Sequence, residues 1–304
     1  MPELSVVLPA YNEEAMLPRA AAVLGELLEK EKIDYELIFV DDGSSDATWD
    51  EIGKAHAVNE RVHGVHFSRN FGKEAAIFAG LATAQGSCAA VMDTDLQHPP
   101  KTLIEMFRLW QDGYEVVEGV KRTRGKESAA HKAAAGTFYK IMSRAVKIDM
   151  RRASDFKLLD RRAVAALLNM PERNAFFRAM SSWIGFKSTQ VEFDVQEREQ
   201  GESKWSTRKL IQYAISNIVG YSTVPMQFVT AAGIIVFIFA IILGIQTLLK
   251  YFFGHAVEGF TTVILLILLI GSIIMISLGI IGYYIARIYE EVQGRPKYII
   301  SSQI

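Results

Sequence analysis

Residues 4–42, LSVVLPAYNEEAMLPRAAAVLGELLEKEKIDYELIFVDD, contain a short apolar run, a longer amphipathic stretch and a second apolar run. The runs Leu4–Leu8 and Glu36–Val40 have the length and composition of buried strands. Between them, leucine and valine recur at helical spacing, which predicts a helix near Met16–Lys30. A strand, a helix and a strand joined by short links predict a right-handed parallel unit.

The same alternation continues to about residue 120. We predict further strands at Val62–Phe67 and Ala89–Met92, and further helices near Asp46–His56 and Lys73–Ala84. This order predicts an α/β head built on a mostly parallel, doubly wound sheet. Ligands bind at the carboxyl ends of the strands in such sheets, so the residues that follow each strand are the candidate functional residues.

Polar or acidic residues follow each of the four predicted strands. These segments are Pro9–Glu14, Asp41–Asp46, Ser68–Lys73 and Asp93–Pro100. Any one of them could be a turn or a helix cap, but four at one sheet edge predict a binding site. Asp93 and Asp95 are two carboxylates one residue apart, and such oxygen ligands suit a Mg²⁺ or Mn²⁺ ion that also binds a substrate diphosphate.

Several other functional classes lack support in the sequence. The first predicted strand is not followed by G-x-G-x-x-G, so a dinucleotide-dependent dehydrogenase is poorly supported. The segment Phe71–Glu74 lacks the upstream glycine and the Ser/Thr of a phosphate-binding P-loop. The single cysteine, Cys88, excludes an internal disulfide, and a formal net charge of −1 gives no basic footprint for nucleic acid.

The last third of the chain is strongly apolar. Neither Leu210–Leu249 nor Gly259–Ala286 contains Asp, Glu, Lys or Arg. Each run supplies the roughly 20 apolar residues that a helix needs to cross a bilayer core. We predict membrane helices at Met226–Leu249 and Phe260–Ala286, because the alternative, a pair of buried core helices, would seldom lack a charged face over such lengths.

The flanking charges predict the orientation of this hairpin. Arg208 and Lys209 precede the first run and Arg287, Arg295 and Lys297 follow the second, whereas the connection carries one Lys and one Glu. By the positive-inside rule both ends lie in the cytoplasm, and no signal peptide is visible before the first strand. The predicted parts are a cytoplasmic head at 1–204, an interfacial amphipathic helix at 205–225, two transmembrane helices within 226–286 and a cytoplasmic tail at 287–304. An ordinary connecting helix remains the alternative at 205–225.

The motifs LPAYNEE, VDDGSSDAT, SRNFGKEAAIFAGL, DTDLQHPP, SDFKLL and EREQGESKW together resemble the family 2 glycosyltransferases of GT-A (Rossmann-like) fold. More narrowly they resemble the polyprenyl-phosphate sugar transferases, including dolichyl-phosphate mannose synthases and bactoprenol glucosyltransferases. The resemblance covers essentially the whole chain, including the apolar runs and RPKYII at 295–300. It implies an inverting hexosyltransferase of the inner (plasma) membrane that moves glucose from UDP-glucose to undecaprenyl phosphate at the cytoplasmic face.

The resemblance also implies roles for individual residues. The nucleotide-sugar ligands would be Pro9, Tyr11, Glu13, Asp42, Lys73, Asp93, Thr94 and Gln97. Asp93 and Asp95 would hold Mg²⁺ or Mn²⁺, which makes Asp95 a catalytic residue. Asp155 matches the position of a catalytic carboxylate, but a lipid phosphate is already largely dianionic near pH 7 and hardly needs a general base. A base, an orienting group and a structural cap therefore all remain open for Asp155.

Five basic residues and one serine are candidates for binding the donor or acceptor phosphate. The candidates are Arg122, Arg124, Lys132, Arg198, Ser203 and Lys204. The last three belong to an R-x-x-G-x-S-K segment that resembles a mobile segment of the family. A solvated charged surface is the alternative reading for both groups of basic residues.

Other functions remain open at this point. Donors carrying mannose, galactose, N-acetylhexosamine or aminoarabinose share these motifs. A processive polysaccharide synthase is disfavoured because Gln200–Trp205 does not match Q-x-x-R-W, and a non-catalytic nucleotide-sugar-binding membrane protein is a third possibility. Small residues in the second apolar run predict a homo-oligomer through the helices, and the resemblance implies a flippase partner for the lipid-linked sugar.

Overall fold

The computed structural model describes residues 1–122, 154–172, 176–194, 224–253 and 259–304. The chain divides into two compact units. The first contains Met1–Leu210 together with Arg295–Ile304, and the second contains Ile211–Gly294. The first unit is an α/β domain, and the described part of the second consists of two long apolar helices.

The described part of the first unit contains an eight-stranded mixed sheet. Its strands are β1 (Leu4–Ala10), β2 (Tyr35–Asp41), β3 (Val62–Phe67), β4 (Cys88–Val91), β5 (Val116–Lys121), β6 (Lys157–Asp160), β7 (Ser188–Phe193) and β8 (Ile300–Gln303). Their order is β7-β5-β6-β4-β1-β2-β3-β8. The four strands predicted from the sequence, β1 to β4, run parallel to one another as expected.

Six helices flank this sheet among the described residues. They are α1 (Leu17–Lys30), α2 (Thr48–Val58), α3 (Lys73–Thr83), α4 (Pro100–Gln111), α5 (Arg161–Leu168) and α6 (Phe177–Trp183). The amphipathic pattern of α1 places Leu17, Leu24 and Leu28 in the core. The predicted bounds of the first three helices agree closely with these.

Two antiparallel strands bring additional residues to the carboxyl edge of the parallel strands. Strand β6 pairs with β4 in the register Val91↔Lys157, so the residues that precede β6 lie at the edge where β4 ends. Asp155 therefore reaches the neighbourhood of Asp93. Strand β8 pairs with β3 in the register Phe67↔Ile300, so the chain that precedes β8 enters at the same edge.

The second unit contains α7 (Val224–Phe252) and α8 (Phe260–Val292). Two segments within them, Pro225–Thr247 and Leu269–Val292, are long and apolar enough to span a membrane. Large apolar side chains on both helices are exposed in the isolated chain; Phe228 on α7 and Met275 on α8, for example, are 69% and 68% exposed. Such exposure to water is unfavourable, which is consistent with membrane association.

Candidate active site

The loops after β1 and β2 are joined by hydrogen bonds. The Asn12 N–H donates to Ser44 Oγ at 2.9 Å, and the Ser45 N–H donates to Asn12 Oδ1 at 2.9 Å. The Glu13 N–H donates to Thr48 Oγ1 at 2.9 Å. Since each bond links residues more than 30 positions apart, the two loops form one rigid wall of the site.

The first residues after β4 are attached to the end of β1. Thr94 Oγ1 donates to the Pro9 carbonyl at 2.9 Å, and Thr94 is buried. Tyr11 lies two residues beyond Pro9 and is 41% exposed, so its ring is accessible at this edge. The structure thus brings together Pro9, Tyr11 and Thr94 of the predicted nucleotide-sugar ligands.

Asp42 binds the loop that follows β3. Its carboxylate accepts the N–H of Phe71 at 2.6 Å and the N–H of Gly72 at 2.9 Å. The next residue, Gly43, has a φ of +65°, and a Cβ there would lie 2.4 Å from the Arg69 carbonyl carbon. Only glycine permits this close approach of two backbones. Burial raises the pKa of Asp42 to about 6, although the two backbone N–H groups oppose the shift.

We expect Asp42→Asn to stabilise the protein relative to wild type as the pH rises from 5 to 7.5. The folded state holds the Asp42 proton to about pH 6, whereas an unfolded aspartate releases it near 3.8. Raising the pH from 5 to 7.5 therefore costs the wild type about 1.5 kcal/mol, the upper half of the loss that the shifted pKa causes. The asparagine Oδ1 retains an acceptor for both N–H groups. Thermal unfolding in detergent at several pH values measures the difference.

Asp46→Asn is the matched control for this experiment. Burial tends to raise the pKa of Asp46, but hydrogen bonds from Thr48 and from the backbone N–H of Glu14 hold it below its ordinary value. The stability that Asp46 contributes is therefore lost only below about pH 4, outside the tested range. A pH-independent gap between wild type and Asp42→Asn would contradict the assignment.

A cluster of charged side chains lies at the start of α3. Lys73 Nζ is 2.6 Å from Asp93 Oδ1 and 3.1 Å from Asp155 Oδ2. Arg178 binds Asp155 with two donors, Nε to Oδ1 at 2.6 Å and Nη2 to Oδ2 at 2.8 Å. We call Lys73, Asp93, Asp155 and Arg178 the Asp155 cluster. It joins residues from four separate parts of the sequence at the carboxyl edge.

The cluster determines the ionisation of its members. Burial alone would raise the pKa of Asp155, but Arg178 and Lys73 hold it well below its usual range. Glu74, next to Lys73, accepts the Phe177 N–H at 2.9 Å, and burial together with the Asp155 charge raises its pKa to about 7. A carboxylate paired with two cations is a weak base, so this geometry favours an orienting role for Asp155. The cap of the following helix α5 is Asp160, which accepts the Arg162 N–H.

Asp93 and Asp95 are partly exposed at the edge of the sheet. The Gln97 N–H donates to Asp95 Oδ1 at 3.1 Å, and Leu96 between them has a φ of +56°. Burial alone would raise the pKa of Asp93. The charge of Lys73, together with His98, outweighs burial and holds this pKa below its ordinary value, so Asp93 is ionised at neutral pH. Two accessible carboxylates are the protein share of a Mg²⁺ or Mn²⁺ site whose other ligands are substrate phosphates and water, so these residues fit the ion. Within the described ranges, no group of three or more His, Cys, Asp or Glu side chains is arranged to hold a metal.

Sequence reasoning missed two residues of the site. His98 directly follows the Asp93–Gln97 loop and is buried. Its ring stacks on Phe156 with a centroid distance of 4.7 Å. Burial lowers the pKa of His98, so the ring is neutral at pH 7. Arg178 lies 23 residues beyond Asp155, and nothing in its local sequence distinguishes it from a surface arginine. His98 at least belongs to the DTDLQHPP motif.

Five of the six predicted acceptor-binding residues lie outside the described part of the chain. Arg124, Lys132, Arg198, Ser203 and Lys204 lie outside the described residues, as does most of the predicted interfacial helix. Arg122, at the end of β5, is exposed and lies 3.3 Å from Asp194 and 3.7 Å from Glu192. Its role in acceptor binding stays a prediction.

Comparisons with known proteins identify relatives along nearly the full chain. The family described as glycosyl transferase family 2 matches residues 5–168. A prophage bactoprenol glucosyl transferase homolog of Escherichia coli (strain K12) is 36% identical over 301 residues, which cover 98% of each chain. The bactoprenol glucosyl transferase of Shigella phage SfV is 34% identical over 307 residues, which cover 99% of each chain.

The fold also has counterparts among solved structures. Glucosyl-3-phosphoglycerate synthase from Mycobacterium tuberculosis, in complex with Mn²⁺, UDP-glucose and phosphoglyceric acid, superimposes with a TM-score of 0.51 at 19% identity. The match covers 72% of this chain and 78% of that chain. At this identity the likeness concerns the fold, which is of the GT-A type expected from the motifs.

Proposed function

Because the chain belongs to glycosyl transferase family 2, and is therefore a glycosyltransferase, we propose that it moves glucose from UDP-glucose to undecaprenyl phosphate with inversion at the anomeric carbon. The observation that carries the proposal is the Asp155 cluster, in which Lys73 Nζ joins Asp155 to Asp93, the first carboxylate of the D-x-D motif that Asp93 and Asp95 form. The names of the two bactoprenol glucosyl transferase relatives support a polyprenyl acceptor. The exposed apolar helices α7 and α8 support a substrate that resides in a bilayer.

The transfer is a single displacement. An oxygen of the lipid phosphate forms a bond to the anomeric carbon while the bond from that carbon to the UDP oxygen breaks, and UDP departs with the electron pair. A bound Mg²⁺ or Mn²⁺ at Asp93 and Asp95 would stabilise the negative charge of the leaving diphosphate as a Lewis acid. Attack from the face opposite UDP inverts the configuration, so a covalent glycosyl-enzyme is unnecessary.

The cationic members of the Asp155 cluster have a second function in this proposal. Lys73 and Arg178 are a fixed ammonium and guanidinium beside the D-x-D motif, and such groups stabilise charge that develops on phosphate oxygens. Asp155 holds both by ion pairs, so it orients cations rather than removing a proton. The acceptor needs no deprotonation, because its phosphate already carries most of its charge near pH 7.

The fold supports a specific membrane topology. The head and residues Arg295–Ile304 form one compact unit, although α7 and α8 lie between them in the chain. Both ends of the α7–α8 segment must therefore lie on the same side of a membrane, which requires an even number of crossings. Together with the flanking Arg and Lys residues, this supports a cytoplasmic head anchored by a two-helix hairpin in the plasma membrane.

We expect a membrane-impermeant maleimide to label His255→Cys in intact cells but to label Lys30→Cys only after permeabilisation. His255 lies in the connection between the two apolar helices, and Lys30 ends α1 in the head. Cys88 is buried, so the native background is low. Labelling of both sites, or of neither, in intact cells would contradict the hairpin.

The transfer itself is tested with purified protein in detergent, undecaprenyl phosphate and a panel of radiolabelled nucleotide sugars. The proposal requires one short, organic-extractable product from UDP-glucose that is lost in EDTA. A product from another donor alone would change the sugar, and label in a long polymer would favour a polysaccharide synthase. Nucleotide-sugar binding without any transfer would favour a non-catalytic binder. The homo-oligomer and the flippase partner stay predictions.

A further inference from the structure

The segment that follows α8 packs against the end of β3. The ring of Tyr298 stacks on Phe67 with a centroid distance of 5.1 Å and an interplanar angle of 10°. The Ser68 N–H donates to the Ile299 carbonyl at 3.0 Å, which extends the β3–β8 pairing into the next loop. Phe67 is fully buried and is the last residue of β3. We call Arg295–Ile304, the last part of the predicted cytoplasmic tail, the tail.

Phe67 also touches the loop that Asp42 binds. Its ring packs edge-on against Phe71 with a centroid distance of 5.7 Å. Phe71 is the residue whose N–H donates to Asp42 Oδ1 at 2.6 Å. The contact sequence from Tyr298 through Phe67 and Phe71 to Asp42 therefore connects the tail to the wall of the site.

A second tail residue contacts the helix that carries Lys73. Lys297 Nζ lies 4.8 Å from the ring centroid of Phe78 on α3 and donates to the Met170 carbonyl at 3.4 Å. Phe78 in turn packs edge-on against Phe177, the residue before Arg178, at 6.5 Å. The tail thus supports the two elements, α3 and α6, that provide the cations of the Asp155 cluster.

We propose that Lys297 and Tyr298 are positioning residues for the donor site, so that the segment leaving α8 sets the affinity for the nucleotide sugar. The role in donor binding rests on the proposed function. Residues Ser68–Gly72 form no helix or strand, and Gly72 has a φ of +101°. No regular secondary structure therefore holds this loop in place. Docking of the tail restricts the loop, which would otherwise have to become ordered when the donor binds. Because the loop is already ordered in the free protein, less conformational entropy is lost when the donor binds, and the affinity for the donor is higher.

We expect Tyr298→Ala to raise the KM for UDP-glucose roughly tenfold, because the loop after β3 loses the stacked contact that orders it before the donor binds. The KM for undecaprenyl phosphate should change little. Tyr298→Phe keeps the stacked ring and should behave like wild type. Tyr114→Ala is the matched control, because Tyr114 is also a partly buried ring beside a lysine, Lys187 at 4.6 Å. Tyr114 precedes β5 and so lies at the opposite edge of the sheet.

Hydrogen exchange of peptides covering residues 68–73 tests the positioning independently of catalysis. Tyr298→Ala should accelerate exchange of the Phe71 and Gly72 amides, whereas Tyr298→Phe and Tyr114→Ala should not. Unchanged exchange in Tyr298→Ala would overturn the inference, as would equal kinetic effects of Tyr298→Ala and Tyr114→Ala. If wild type transfers no sugar from any donor, the proposed function fails while the exchange result still decides the role of the tail.

Discussion

Asp155→Asn is expected to lower kcat for sugar transfer by roughly 100- to 1000-fold, because it leaves two cations facing each other without their shared anion. In the wild type, Arg178 and Lys73 contact the Asp155 oxygens at 2.6 to 3.1 Å. An asparagine keeps the shape but not the charge, so Lys73 loses one of its two carboxylate partners. The measurement is steady-state transfer with saturating donor and acceptor.

Arg178→Ala distinguishes an orienting Asp155 from a general base. Removing the arginine makes Asp155 more basic, so a base would keep or increase its rate and shift the pH profile. An orienting role predicts instead a loss similar to that of Asp155→Asn, and a double variant scarcely worse than either single variant, because the pair acts as a unit. Arg162→Ala, which breaks an exposed ion pair with Glu115, should leave kcat unchanged. Strictly additive losses would contradict the cluster.

Asp95→Asn is expected to reduce transfer roughly 1000-fold and to abolish the effect of Mn²⁺ on UDP affinity. Asp95 is the partly exposed second carboxylate of the D-x-D motif and accepts the Gln97 N–H at 3.1 Å, whereas Asp93 is 2.6 Å from Lys73. The neutral amide is a poor ligand for a hard divalent cation. Calorimetric titration of UDP with Mn²⁺ and with EDTA should show metal-dependent tightening in wild type alone.

The control for this experiment is Asp112→Asn, since Asp112 is an exposed carboxylate at the end of α4. It should retain both full transfer and the metal effect. If Asp95→Asn keeps the Mn²⁺-dependent gain in UDP affinity, Asp95 is not a metal ligand, and the role assigned to the D-x-D motif is wrong. Loss of the metal effect with full transfer would mean that the ion assists binding but not the reaction.

Much of the head could be predicted because its signals are local. The runs that form β1 to β4 are apolar over four to seven residues, and α1 repeats leucine at helical spacing, so each element is specified by its own residues. Parallel strands direct their carboxyl ends to one edge, and this rule alone places Asp42 and Asp93 at a common edge. The apolar runs of α7 and α8 were equally visible, because a long segment without charge has few alternatives to a membrane helix.

The sequence by itself determined the α/β class, the family and the acidic residues at the strand ends. Only the tertiary structure decided that β6 and β8 run antiparallel, that Lys73 bridges Asp93 and Asp155, and that Arg178 holds Asp155. The physical reason is distance along the chain: Lys73 and Asp155 are 82 residues apart, and their ion pair depends on strand order and register. Residues 300–303 show the same limit, because a short edge strand is specified by the partner it pairs with and not by its own composition.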